Sequence, residues 1–102
     1  MQSIPETPAE ALEVFRNPDS EEWERDYAAM MITSLEEALP DLVTTACDAT
    51  ASEALQQRAA ECLAVAWRNR GTLMTADMSG FTPAARQEIL FHRGMRPPFR
   101  GR

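Results

Sequence analysis

Ser52-Glu53-Ala54-Leu55-Gln56-Gln57-Arg58-Ala59-Ala60-Glu61-Cys62-Leu63-Ala64-Val65-Ala66-Trp67-Arg68-Asn69-Arg70-Gly71 is the stretch that decides the fold. Leu55, Ala59, Cys62, Leu63, Ala66 and Trp67 recur at spacings of three and four, which lays them along one stripe of an α-helix. Thr50-Ala51-Ser52-Glu53 predicts a capping box at its start, and Gly71 supplies its stop.

Upstream, the same periodicity recurs and strand alternation does not. Thr7-Pro8-Ala9-Glu10 combines an N-cap, a proline at the first helical position and a capping glutamate, so a first helix is expected to run to about Arg16 with Ala11, Leu12 and Phe15 inward. Asn17-Pro18 ends it. Asp19-Ser20-Glu21-Glu22 repeats the capping logic and places acids at the positive end of a helix dipole. A longer helix should follow, with Trp23, Tyr27, Met30, Met31, Leu35 and Ala38 or Leu39 forming one broad apolar face turned to the core. Pro40-Asp41 then opens a short helix carrying Leu42, Val43, Ala46 and Cys47.

Downstream of Gly71, Leu73, Met74, Met78 and Phe81 lack clean periodicity, which reads as an ordered loop packed under the core. Thr82-Pro83 starts a last helix with Ala85, Ile89 and Leu90 inward, ended by Gly94. The fold class expected is therefore all-α, a compact bundle of five or six helices, with residues 1–94 as a single domain and 95–102 as a basic, flexible tail. At 102 residues and 44% hydrophobic content, the chain is sized for one core. It has no run of about 18 apolar residues to span a membrane, and its N-terminus lacks the basic and apolar regions of a signal peptide. A cytoplasmic protein is expected. Cys47 and Cys62 are too few for a disulfide framework, so both are read as reduced, helical and largely buried.

Charge is sorted along the chain. Residues 1–61 carry fourteen acidic groups against three arginines, a net of −11, whereas residues 62–102 carry two against seven, a net of +5. Such asymmetry bears on partners and steering rather than on fold. Glu21, Glu22, Glu24, Asp26, Glu36, Glu37 and Asp41 make an acidic segment suited to a basic protein partner. Arg93, Arg96, Arg100 and Arg102, interleaved with Phe99, offer the alternative of a basic tail for nucleic acid or an acidic protein. Seven arginines spread over the C-terminal part of an acidic chain are a weak nucleic-acid footprint. All ten basic side chains are arginine, a bias of the kind a GC-rich bacterial genome produces.

From Pro40 to Arg70 a short helix, a polar turn near Asp48 and a second helix containing Arg58-Ala59-Ala60-Glu61-Cys62-Leu63 resemble one HEAT-type helical repeat. In that family the small residues of an Arg-Ala-Ala-x-x-Leu segment allow close stacking. A solenoid needs roughly three or more repeats, so the resemblance implies a truncated, self-capped HEAT-like bundle, either monomeric or dimeric. Small acidic helical proteins of this build are similar to bacterial immunity proteins that neutralise secreted toxins. That resemblance implies a non-enzymatic protein that occludes a basic toxin domain through its acidic surface.

Catalytic chemistry finds little support. The one histidine, His92, sits beside Arg93, and nothing in the sequence orients it toward either cysteine. The four glycines read as punctuation rather than as a phosphate-binding loop. The acidic runs lack calcium-loop spacing, and Glu88 with His92, spaced i, i+4, forms one pair that by itself falls short of a metal site. No catalytic residue, metal or cofactor is expected. Trp23 and Trp67 fall on the predicted apolar stripes, and Met30, Met31, Met74 and Met78 read as core gap-fillers.

Overall fold

The computed structural model describes residues 4–95 and shows an all-α bundle. Its helices are α1 (Pro8–Arg16), α2 (Glu22–Met31), α3 (Leu39–Ala46), α4 (Glu53–Arg70) and α5 (Pro83–His92), with a single 3₁₀ turn at Glu36–Ala38 leading into α3. The expected tail lies almost wholly outside the described residues.

Helix α4 is the centre of the bundle, packing against α2, α3 and α5, while α1 packs on α2. The reason lies in its composition. Ala59, Ala60, Leu63 and Ala64 are fully buried and Leu55, Cys62 and Ala66 nearly so. Alanines on several sides let neighbouring helices approach at the closer end of the usual 8–10 Å interaxial range. The core continues through Ala11, Leu12 and Phe15 of α1, Leu42 and Ala46 of α3, and Ala85 and Ile89 of α5. Leu90 of α5 is only partly buried.

The ends of the helices follow from local chemistry. Thr7 Oγ1 accepts from Glu10 N at 3.1 Å while Glu10 Oε1 accepts from Thr7 N at 3.1 Å, the reciprocal box that the sequence predicts. Two other caps sit elsewhere than predicted. Helix α4 is capped by Ser52, whose Oγ accepts from Leu55 N at 3.1 Å. Thr50 instead donates through both N and Oγ1 to Asp48 Oδ1, at 2.9 and 2.6 Å, closing an Asx turn before the helix begins. Helix α2 is capped by Glu21 rather than Asp19, with Glu24 Oε1 folded back to accept from Glu21 N at 2.7 Å. Gly71, at φ +75°, ends α4 in the left-handed region that glycine adopts without strain, and Thr72 N returns to Trp67 O at 2.8 Å.

The largest correction concerns α2. The helix stops at Met31, and its inward residues are Glu24, Ala28, Ala29 and, just beyond its end, Ile32. Trp23, Tyr27 and Met30 are 57%, 45% and 53% exposed, so the predicted core face is turned to solvent. Two helical stripes compete here. One holds large side chains and the other small ones, and close approach to α1 and α4 selects the small one. The Glu24 cap accords with that choice, since its carboxylate accepts from Glu21 N on the buried side of the helix. Met31 and Leu35 still pack against the core as partly buried residues.

The loop from Thr72 to Phe81 is ordered as predicted. Leu73 and Phe81 are buried and Met78 packs on the core, but Met74 points outward. Trp67 is half-buried and stacks on Phe81 at 6.1 Å between ring centroids. Thr82 N donates to Ala46 O at 3.0 Å, tying the start of α5 to the end of α3. Buried Gln56 joins the α3–α4 connection to α4 by donating from Nε2 to Asp48 O and Ala51 O, at 2.9 and 2.8 Å. Cys62 is buried and Cys47 half-buried, and both are free thiols.

Candidate functional site

Turning its large residues outward gives α2 one wall of a cleft. Glu22, Trp23 and Asp26 from α2 face Ala54, Gln57, Arg58 and Glu61 from α4 and Glu88 from α5 around a space of about 540 Å³. The lining carries four carboxylates and one guanidinium, a formal charge of −3 at neutral pH. The indole of Trp23 stands at this acidic rim, and Tyr27 and Met30 extend the apolar surface along the same face of α2 at spacings of four and three.

The cleft is held in shape by its own polar contacts. Arg58 Nε donates to Asp26 Oδ1 at 3.0 Å, and Arg58 Nη1 pairs with Glu61 Oε1. The hydrogen bond it donates to Asp26, with Glu61 assisting, raises the Arg58 pKa above its ordinary value, so this side chain is a permanent cation bridging α2 and α4. Gln57 Nε2 donates to Glu88 Oε1 at 3.0 Å, linking α4 to α5. Trp23 Nε1 donates to Glu21 Oε2 at 3.2 Å, which orients the indole from outside the core.

Next to the cleft, Glu88 and His92 lie one helical turn apart on α5, with His92 Nε2 and Glu88 Oε2 at 3.0 Å. Arg68 Nη2 sits 2.9 Å from His92 Nδ1. A guanidinium can only donate, so Nδ1 must be the bare nitrogen and Nε2 must carry the proton it gives to Glu88. The i, i+4 pair seen in the sequence therefore has a third neighbour, because Glu61 of α4 reaches it. One ligand atom from each of Glu61, Glu88 and His92 lies within 4.8 Å of the other two.

The seven acids singled out in the sequence have different fates. Glu22 and Asp26 line the cleft, and Glu21 borders it through Trp23. Glu24 is buried and spent on capping α2. Asp41 accepts from Arg16 Nε and Nη2 at 3.0 and 2.9 Å, a fork pairing that joins α3 to α1. Glu36 lies 3.9 Å from Arg70, and Glu37 is exposed in the 3₁₀ turn. Of the basic candidates, Arg93 donates to Leu73 O and Ala76 O, both at 2.9 Å, and so fastens the 72–81 loop to the end of α5. Arg96, Arg100 and Arg102 lie outside the described residues.

Gln57, Arg58 and Glu61 are the site residues that sequence reasoning missed, and Glu88 was noted there only for its spacing to His92. The signal was present in α4, where Gln57, Arg58 and Glu61 fall off the apolar stripe at spacings of three and four. Which other helix would meet that polar edge is a tertiary fact that periodicity does not carry. No protein-family model, curated protein or solved structure matches the chain. Among the described residues, no helix is long and apolar enough to cross a membrane.

Proposed function

We propose that the chain is a non-enzymatic protein-binding module that receives a basic segment of a partner protein in the cleft between α2, α4 and α5. The observation that carries this reading is an exposed tryptophan beside four carboxylates, on a helix that buries alanines instead. A lysine or arginine side chain entering the cleft meets the carboxylates of Glu22 and Glu88 at its charged end and the face of Trp23 along its length. Cation–π contact with tryptophan contributes about 0.5–2 kcal/mol, more as water is excluded. Tyr27 and Met30 continue the contact surface along α2, and aromatic anchors of this kind dominate protein interfaces. The rim acids act mainly on the association rate and make it salt-dependent.

In its finer form the reading is that of a small acidic bacterial immunity protein built around a HEAT-like α3–α4 hairpin, acting in the cytoplasm by occluding a basic toxin domain. The size, the acidic N-terminal segment and the Arg58–Leu63 segment support it.

The test is a comparative capture. Tagged wild-type chain and a Trp23→Ala, Glu22→Gln double variant are used to retain proteins from the source cells and the product of the neighbouring gene, at low and high salt. The expected result is one basic protein held stoichiometrically by the wild type, weakened by salt and lost with the variant. Equal retention by both chains would remove the cleft from the interface.

A further inference from the structure

We propose that Glu61, Glu88 and His92 form an open binding site for a divalent transition-metal ion of the zinc class, at the edge of the acidic cleft. This inference does not depend on the partner reading, because it rests on the mutual geometry of three side chains. Their ligand atoms already lie within 4.8 Å of one another, on two helices that the core holds together. Glu88 and His92 have side chains only 14% and 15% exposed, so the pair is set in place rather than waving in solvent. Glu61 is 41% exposed and has room to move.

The distances suit coordination. Ligands that sit about 2.0–2.2 Å from a zinc ion lie roughly 3–3.5 Å from each other. His92 Nε2 and Glu88 Oε2 are at 3.0 Å, already a ligand–ligand separation. Glu61 has to close by roughly an ångström, a small rotation of its half-exposed side chain that lengthens or gives up its pairing with Arg58 Nη1. The donor set selects the ion class. Imidazole favours zinc, copper, nickel or iron over magnesium and calcium, and two carboxylates with a neutral imidazole match a dication in charge. Three protein ligands leave the remaining coordination positions open, and because Glu61 and Glu88 line the cleft, those positions face it.

Neighbouring side chains orient these ligands. Gln57 Nε2 donates to Glu88 Oε1, which leaves Oε2 directed at the site. Arg58 holds Glu61 from the side of Asp26. Arg68 is the antagonist. With its guanidinium on Nδ1, the ring proton stays on Nε2, where the metal must bind. Metal binding therefore transfers that proton through solvent to Nδ1 and releases the exposed Arg68 side chain.

His92 is the one histidine in the chain, so its imidazole nitrogens can be followed in the unmodified protein. The experiment is a zinc titration of the full chain, read by ¹⁵N NMR of the imidazole and by calorimetry. The expected result is one zinc per chain, with Nε2 passing from protonated to metal-bound and Nδ1 gaining the proton. His92→Gln and Glu88→Gln should weaken binding by at least about tenfold, and Arg68→Ala should bind at least as tightly as wild type. An imidazole spectrum unmoved by saturating zinc would overturn the proposal. So would undiminished affinity in His92→Gln, which would place the ion on the thiols or on carboxylates alone.

Discussion

Helices α2 and α4 lie against each other and use their side chains in opposite ways. Helix α4 buries leucine, cysteine, glutamine and four alanines on several sides, and it sends Gln57, Arg58 and Glu61 to one edge. Helix α2 buries one glutamate and two alanines and sends tryptophan, tyrosine and methionine outward. Fully burying a large apolar side chain contributes roughly 1.5–3 kcal/mol, so the α2 arrangement leaves stabilisation unused. The difference teaches that stability in this molecule is concentrated in α4, and that the outer face of α2 is free to serve recognition.

The strongest challenge to that division is a pair of truncations. Leu63→Ala removes a fully buried side chain from α4 and should cost about 2–5 kcal/mol, read as a lower denaturant midpoint in chemical unfolding. Trp23→Ala should change stability by no more than about 0.5 kcal/mol, yet reduce partner affinity by about 2 kcal/mol or more, roughly thirtyfold. If both variants lost comparable stability, the two helices would not differ in role. Gln56→Ala comes next. It deletes two buried hydrogen bonds that hold the α3–α4 connection, and should cost about 1–3 kcal/mol in the same unfolding assay. Glu24→Ala removes the buried cap of α2 and should cost about 1 kcal/mol, with the far-ultraviolet helix signal nearly unchanged.

The mildest effect is one of pH. Thr50 and Ser79 donate to Asp48 and Asp77 and hold both carboxyls below the ordinary carboxylate range. A carboxylate whose folded pKa is depressed adds stability above its unfolded pKa and loses it as pH falls through the folded value. Unfolding followed across acidic pH should therefore show stability declining below about pH 4, the usual aspartate range. Asp48→Asn and Asp77→Asn should flatten that decline by lowering stability on the neutral-pH side, where the ionised carboxylates contribute it, and leave the acidic end unchanged. Both turns lie outside the cleft, so partner binding should not follow the same curve.

How much of this was legible in the sequence differs by element for physical reasons. In α4, Leu55, Ala59, Cys62, Leu63 and Ala66 share one stripe, so a helix built on that spacing buries them, whereas the burial of Ala60 and Ala64 off that stripe depends on the helices packed around it. The Thr7 box and the Gly71 stop are set by local backbone chemistry and were readable for the same reason. In α2 the spacing supports two stripes, and hydrophobicity ranks Trp23 and Tyr27 above Ala28 and Ala29. Packing distance between helices reverses that ranking, and packing distance is not written in α2. The cap of α4 was misplaced by two residues because Thr50 and Ser52 are both competent, and the Asp48 carboxylate takes Thr50 first. The cleft depended on α5 delivering Glu88 and His92 to Glu61, a long-range meeting that only the assembled bundle specifies.

The measurement that bears most directly on the division between α2 and α4 is chemical-shift mapping of the ¹⁵N-labelled chain with its captured partner. The indole N–H of Trp23, bonded to Glu21, should move strongly, together with the amides of Asp26, Tyr27, Gln57 and Glu61, while α1 and the 72–81 loop stay in place. A complex that shifts α1 or that loop and leaves the Trp23 indole unmoved would contradict the account.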